Sequence, residues 1–274
     1  MTDLPASSAW PAYLAVTGVL AIAAAARGVW SPCGLSMISA INPFSERSRG
    51  HRYWVTACWF VAGAVLGGAL LGATVALAAA AWSLLPVPAA GTLAIAAGCC
   101  LVALVSDSPA VPAALPNHPR QVNERWLGRY RRWIYAAGFG LQIGSGFATY
   151  IMTAAVSLIA VLGVLSGSPV VAMLTGLLFG LVRGLAVLLS GTARDPAALR
   201  ALHRRLDRLA PWSLRVVMAI EAAAAVLLGG LAAGIAGVVV MLFVIVGGGA
   251  LAHTRSTRLS AATADAMVTG AVGR

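Results

Sequence analysis

The sequence predicts an all-α polytopic membrane protein with about seven transmembrane helices, arranged as an inverted repeat of three helices plus a C-terminal helix. Three observations predict it. Of 274 residues, 60% are hydrophobic and 10% charged, against about 25% charged in soluble domains. The apolar residues gather in runs as long as a bilayer crossing needs, ~20 residues. Every second connection between those runs is rich in arginine, while the others carry no charge.

Taken in order, the predicted helices cover 11–41, 53–81, 86–106, 133–164, 169–190, 214–232 and 234–252. Residues 1–10 precede them as a short extracytoplasmic N-terminus with Asp3 and no positive residue, which lacks the charged start of a cleavable signal. Residues 11–106 form the first three-helix repeat and 107–132 a basic, proline-rich cytoplasmic linker. Residues 133–232 form the second repeat, 233–252 the seventh helix and 253–274 a cytoplasmic tail. The last two helices come from one apolar stretch, Leu214 to Ala252, which as a single helix would run ~58 Å, far beyond a bilayer. Gly229-Gly230 and Gly234 supply the place to fold it back. One span with a re-entrant piece, six in all, is the competing count.

The net charge of +11 comes from 19 arginines and no lysine. Sixteen of them sit in Pro43–Arg52, in 107–132, in Gly191–Ser213 and in the tail, so the charge orients helices and does not form a face for nucleic acid. By that rule the protein is a multi-pass protein of the cell membrane, with the lipid bilayer as its first partner. Within Gly191–Ser213, Leu199, Leu202, Leu206 and Leu209 have helical spacing and predict an amphipathic surface helix. Glycines four residues apart (Gly63 and Gly67, Gly68 and Gly72, then Gly176, Gly180 and Gly184) predict close internal helix packing.

Two runs are interrupted where lipid could not satisfy an opened backbone. The first carries Arg27, Gly28, Trp30, Ser31, Pro32, Cys33 and Gly34, and a proline inside a helix removes a donor and clashes with the preceding turn. The fourth carries Gly144, Ser145, Gly146 and Thr149 at the matching position of the second repeat. With Ser31-Pro32-Cys33 in the first span, Leu35 after it, and Pro43 at the end, the chain resembles the thiol-disulfide transmembrane carriers of the CcdA and DsbD membrane-domain type. The resemblance implies a six-helix inverted-repeat core, active in cytochrome c biogenesis and related thiol-disulfide electron transfer. Such a core moves reducing equivalents across the membrane to a thioredoxin-like partner. The family relay uses one cysteine in each half. Here the second half has none, so Pro32 and Cys33 alone carry over as catalytic candidates.

Cys58, Cys99 and Cys100 are the remaining thiols, all within predicted spans of the first repeat, and each is a candidate partner for Cys33. Arg27 lies six residues before Cys33 and brings a positive charge near it. Arg183 and Glu221, at nearly equal depth on neighbouring helices, are expected to form an intramembrane ion pair, because a lone charge there is costly. These charges also support an alternative function, a small-solute or soft-metal-ion transporter on a related inverted-repeat fold. No cofactor is expected and no complete metal-ligand set appears; Cys33 and Cys58 are the thiols that could take a soft ion.

Overall fold

A computed structural model describes residues 4–108, 129–146 and 152–271, with side chains from Ala9 to Gly247 among them. The linker residues 109–128 and Thr149 lie outside the described residues. The described residues are helical, with no strand. In order they are α1 (Leu4–Arg27), a 3-10 turn (Gly28–Trp30), α2 (Pro32–Ala40), α3 (Pro43–Ser48), α4 (Tyr53–Trp82) and α5 (Ala89–Asp107). There follow α6 (Arg132–Gly144), α7 (Ala155–Leu165), α8 (Pro169–Leu185), a second 3-10 segment (Ala186–Thr192) and α9 (Pro196–Ala271).

Five helical segments are long and apolar enough to cross a membrane: Ala9–Trp30, Tyr53–Trp82, Ala89–Asp107, Pro169–Thr192 and Pro196–Gly247. Their outward faces are apolar too. Leu66, Leu70 and Leu77 on α4 are all exposed, a stripe suited to lipid and costly in water.

Both interruptions read from the sequence are present. At the first, the helix stops at Arg27 and restarts at Pro32. Ser31 is extended (φ −67°, ψ 154°) and its hydroxyl accepts from the Gly34 amide, capping α2, while Pro32 takes the first helical position, where no donor is needed. The same hydroxyl donates to the Gly28 carbonyl at 2.7 Å, so the chain itself satisfies a group that the proline break exposes. At the second, α6 ends at Gly144 and Gly146 takes a positive φ of 72°. A helix cannot continue through that conformation, which favours glycine.

The long α9 is not straight. Ala233 and Gly234 leave helical geometry, Gly234 with φ 62° and ψ −143°. The chain doubles back there: a Cβ on Gly237 would sit 2.0 Å from the Gly229 carbonyl oxygen. Eight residues apart in a continuous helix would separate these positions by ~12 Å. The fold-back expected near Gly234 therefore exists, while the amphipathic helix predicted around Leu199–Leu209 is continuous with the first arm of α9.

The core is organised around α4, which packs most extensively against α8 and α6, while α9 packs on α5. Glycines make this possible on two faces of one helix. Gly63 and Gly67 meet the α6 backbone at Ala137 and Leu141, and Gly140 and Gly144 of α6 meet Phe60 and Ala64 in return. On the other face, Gly68 and Gly72 meet Gly176 and Met173 of α8. The predicted glycine stripes are thus internal, and backbones touch where side chains would hold them apart.

Asp107 corrects the predicted domain boundary. It is not the start of a linker but the last residue of α5, and its carboxylate accepts hydrogen bonds from Thr153 Oγ1 and from the Ala154 amide at 2.7 Å. It therefore caps the start of α7, where backbone amides lack helical partners.

Candidate functional site

Cys33 is the second residue of α2 and is 1% exposed. It lies in a core cluster with Val29, Met37, Phe60, Phe139 and Ile143, drawn from both halves of the chain. The charge that approaches it is Arg183, whose guanidinium is within electrostatic range of the thiol. Arg27, expected there from sequence distance, turns elsewhere.

Arg183 links the two interruptions. Its Nε donates to the Ile143 carbonyl at 3.0 Å, one of the last carbonyls of α6 and so without a helical partner. Its guanidinium lies against Gly28, where a Cβ would fall 1.2 Å from Nη1, and 5.8 Å from the Phe179 ring centroid. A side chain at 28 would displace the guanidinium end of Arg183, and with it the bond to Ile143. The placement also sets a cation at a helix C-terminus, the favourable end.

The expected Arg183–Glu221 ion pair does not form. Arg183 points toward Gly28 and the end of α6, whereas Glu221 is fully buried, and neither of its oxygens has a hydrogen-bond partner. Glu221 lies within electrostatic range of Asp107 and Cys100, both on α5. Arg27 is itself buried; Nη1 donates to the Ala210 carbonyl at 3.2 Å and to Ser213 Oγ at 2.6 Å, both on α9, while its Nε has no partner. It is electrostatically coupled to Asp107.

The cysteines are dispersed. No disulfide joins any of the four. Cys58 is exposed, and Cys100 belongs to a different core cluster from Cys33, with Cys99 packed against that second cluster. Among the described residues no group of three or more His, Cys, Asp or Glu is placed to hold a metal ion. Gly144 and Gly146 stand at the second interruption as expected, with Gly146 facing the Phe179 ring.

One polar centre escaped the sequence reading altogether. Glu46, in a segment taken as a loop, is fully buried. It accepts from Thr56 Oγ1 at 2.5 Å and from Tyr135 OH at 2.9 and 3.1 Å, and pairs with Arg49 Nη1 at 2.9 Å. Helix α3 places it there, started by Asn42, whose side chain accepts from the Ser45 amide ahead of Pro43. The Asn-Pro pair followed by Glu was a legible helix start; that the glutamate turns inward was not.

The fold and these centres define an all-helical protein suited to a membrane, with two interrupted helices joined by one buried arginine. Two curated proteins are similar to it over most of its length. Methylamine utilization protein MauF of Paracoccus versutus is 29% identical over 223 residues, which is 77% of this chain and 78% of that protein. Methylamine utilization protein MauF of Paracoccus denitrificans is 28% identical over 217 residues, covering 77% and 73%. No protein-family model matches the chain, and no solved structure matches it.

Proposed function

We propose that this chain is a seven-crossing membrane protein that performs single-thiol redox work at Cys33, in the service of methylamine utilisation. The observation that carries the chemistry is the position of Cys33: the first turn of α2, beside Arg183, at an interrupted helix. The biological setting comes from the name of the two relatives and extends as far as the similarity does.

The crossings are counted from the five long segments, with the fold-back at Gly234 dividing the last and the interrupted α6–α7 pair adding one. Two three-crossing halves of opposite orientation then face each other across Arg183. The likeness to thiol-disulfide carriers supports this arrangement through Pro32 and Cys33 alone.

The exchange runs in trans. The Cys33 thiolate attacks a disulfide on a thioredoxin-like partner; a new bond forms to Cys33 sulfur, the partner's disulfide breaks, and its leaving sulfur takes the electron pair and then a proton. A dithiol of another protein releases Cys33. Its first thiol attacks the partner's sulfur in the mixed disulfide, and Cys33 leaves as the thiolate. The donor's second thiol then frees the partner by closing the donor's own disulfide, so the electron pair passes from that dithiol to the partner. Cys33 is in no disulfide here, and Cys99 and Cys100 belong with a different core cluster. Cys33 is closed in this conformation, so exchange follows opening at the 3-10 turn.

A Paracoccus versutus strain lacking MauF, supplied with this chain, tests the reading. Growth on methylamine should return with the wild type and with Cys58→Ser but not with Cys33→Ser, and an alkylating mass tag should report a mixed disulfide on Cys33. Failure of the wild type to restore growth removes the methylamine setting. Growth with Cys33→Ser equal to wild type removes the thiol chemistry. The transporter reading has one observation of its own, the buried and unsatisfied Glu221 and Arg27 atoms. It takes the lead if growth survives Cys33→Ser and is lost with Glu221→Gln.

A further inference from the structure

A buried carboxylate with nothing to hold its charge is out of place in a helix bundle. Glu221 is 0% exposed, and both of its oxygens lack a hydrogen-bond partner among the described residues. Taking an isolated carboxylate out of water costs far more than a domain can spare, so such a group is neutralised or paired. Among the described residues no cation forms an ion pair with it, although Arg27 keeps a buried Nε without a partner. Arg183 is committed to Ile143 and Gly28, and Arg27 to Ala210, Ser213 and the field of Asp107. What faces Glu221 from α5 is a second carboxylate, Asp107, and the Cys100 thiol. On α1 the facing charge is Arg27, which answers Asp107. On its own helix the nearest charge is Arg215, whose guanidinium is 5.2 Å from the Trp212 ring centroid, and Trp212 is exposed.

We propose that Glu221 is a proton-binding site inside the bundle, loaded and unloaded through Asp107. The ligand is a proton and not a metal cation for a geometric reason. A desolvated cation needs several oxygens around it, and here no cluster of three ligating side chains exists among the described residues. A proton needs a single oxygen.

Asp107 has the second property a relay requires. It is half-buried at the end of α5, the helix on which α9 packs, and lies within electrostatic range of Glu221. In the transfer an O–H bond breaks at Glu221 and one forms at Asp107, directly or across a water, and the proton then leaves to bulk water. Transfer to Asp107 weakens what it holds, because a protonated carboxyl accepts less well from Thr153 and from the Ala154 amide. Proton movement is thereby coupled to the capping of α7 at the second interruption. Neither the thiol chemistry nor the methylamine setting enters this inference.

Infrared spectroscopy of the full-length protein in lipid nanodiscs, at neutral pH, tests it. A protonated carboxylic acid shows a carbonyl band that a carboxylate lacks. The wild-type band should be lost in Glu221→Gln and kept in Asp107→Asn. Should Glu221→Gln fail to fold, Glu221→Asp keeps the acid on a shorter arm, and its band should move in frequency. A band unchanged by substitution at 221, or no protonated-acid band at neutral pH, overturns the proposal.

Discussion

The Arg183 guanidinium occupies the space that a side chain at Gly28 would need, while its Nε holds the carbonyl of Ile143. One residue of α8 thus closes the gap in the first interrupted helix and terminates the second. Removing that guanidinium leaves a buried carbonyl without a donor.

Arg183→Leu should therefore lower stability by about 1–3 kcal/mol, the cost of an unsatisfied buried group. Because Arg183 and Glu221 do not meet, the double change Arg183→Leu/Glu221→Leu should equal the sum of the single changes within about 0.5 kcal/mol. Thermal unfolding in nanodiscs measures the cycle. A double variant more stable than that sum would restore the ion pair.

Gly28→Ala should be far more damaging than Gly18→Ala, although both glycines lie in or beside one helix. A Cβ at 28 would overlap the guanidinium, whereas nothing lies within 4 Å of a Cβ at 18. Gly18→Ala should even stabilise, by about 0.5–1 kcal/mol. Comparing the folded yield and melting temperature of the pair checks this, with similar losses as the refuting result.

Tyr135→Phe removes one of the donors that hold the buried Glu46 carboxylate. A hydrogen bond to a charged group contributes about 1.5–3 kcal/mol, so a loss in that range is expected. Thr56→Val, which removes the Thr56 donor, should behave alike. A neutral effect of both would mean that Glu46 is satisfied some other way.

The fold-back in α9 predicts a cross-link. With the native cysteines replaced, cysteines at Gly230 and Val238 should form a disulfide on mild oxidation, because a Cβ at 230 approaches the Val238 side chain to 2.8 Å. In an unbroken helix the two would be ~12 Å apart, too far for the ~4.4–6.8 Å between Cα atoms that a disulfide spans. Gel mobility before and after reduction reads the result.

The breaks at Pro32, Gly144–Gly146 and Gly234 were legible because glycine and proline change backbone geometry locally, whatever surrounds them. The glycine spacing of α4 and α8 was legible for the same reason. Contacts set by rotation about a helix axis were not. Depth along a helix follows from counting residues, but the direction a side chain faces depends on neighbours far away in sequence. That is why Arg183 and Glu221, expected at equal depth, missed each other, and why Arg27 turned to α9. Glu46 was hidden by its setting: an acidic residue among arginines reads as surface until Tyr135 and Thr56 close over it.

The two glycine faces of α4 have a consequence for how the protein is made. Their backbone partners, α6 and α8, belong to the second half of the chain and leave the ribosome well after α4 does. At about 5–20 residues per second, on the order of 5–20 s separates the synthesis of Gly68 from that of Gly176. Throughout that delay α4 stands in the bilayer with its glycine grooves open. Lipid tails or an insertion factor must occupy them meanwhile, and a bulkier residue at either groove would be felt during biosynthesis, before the finished protein existed.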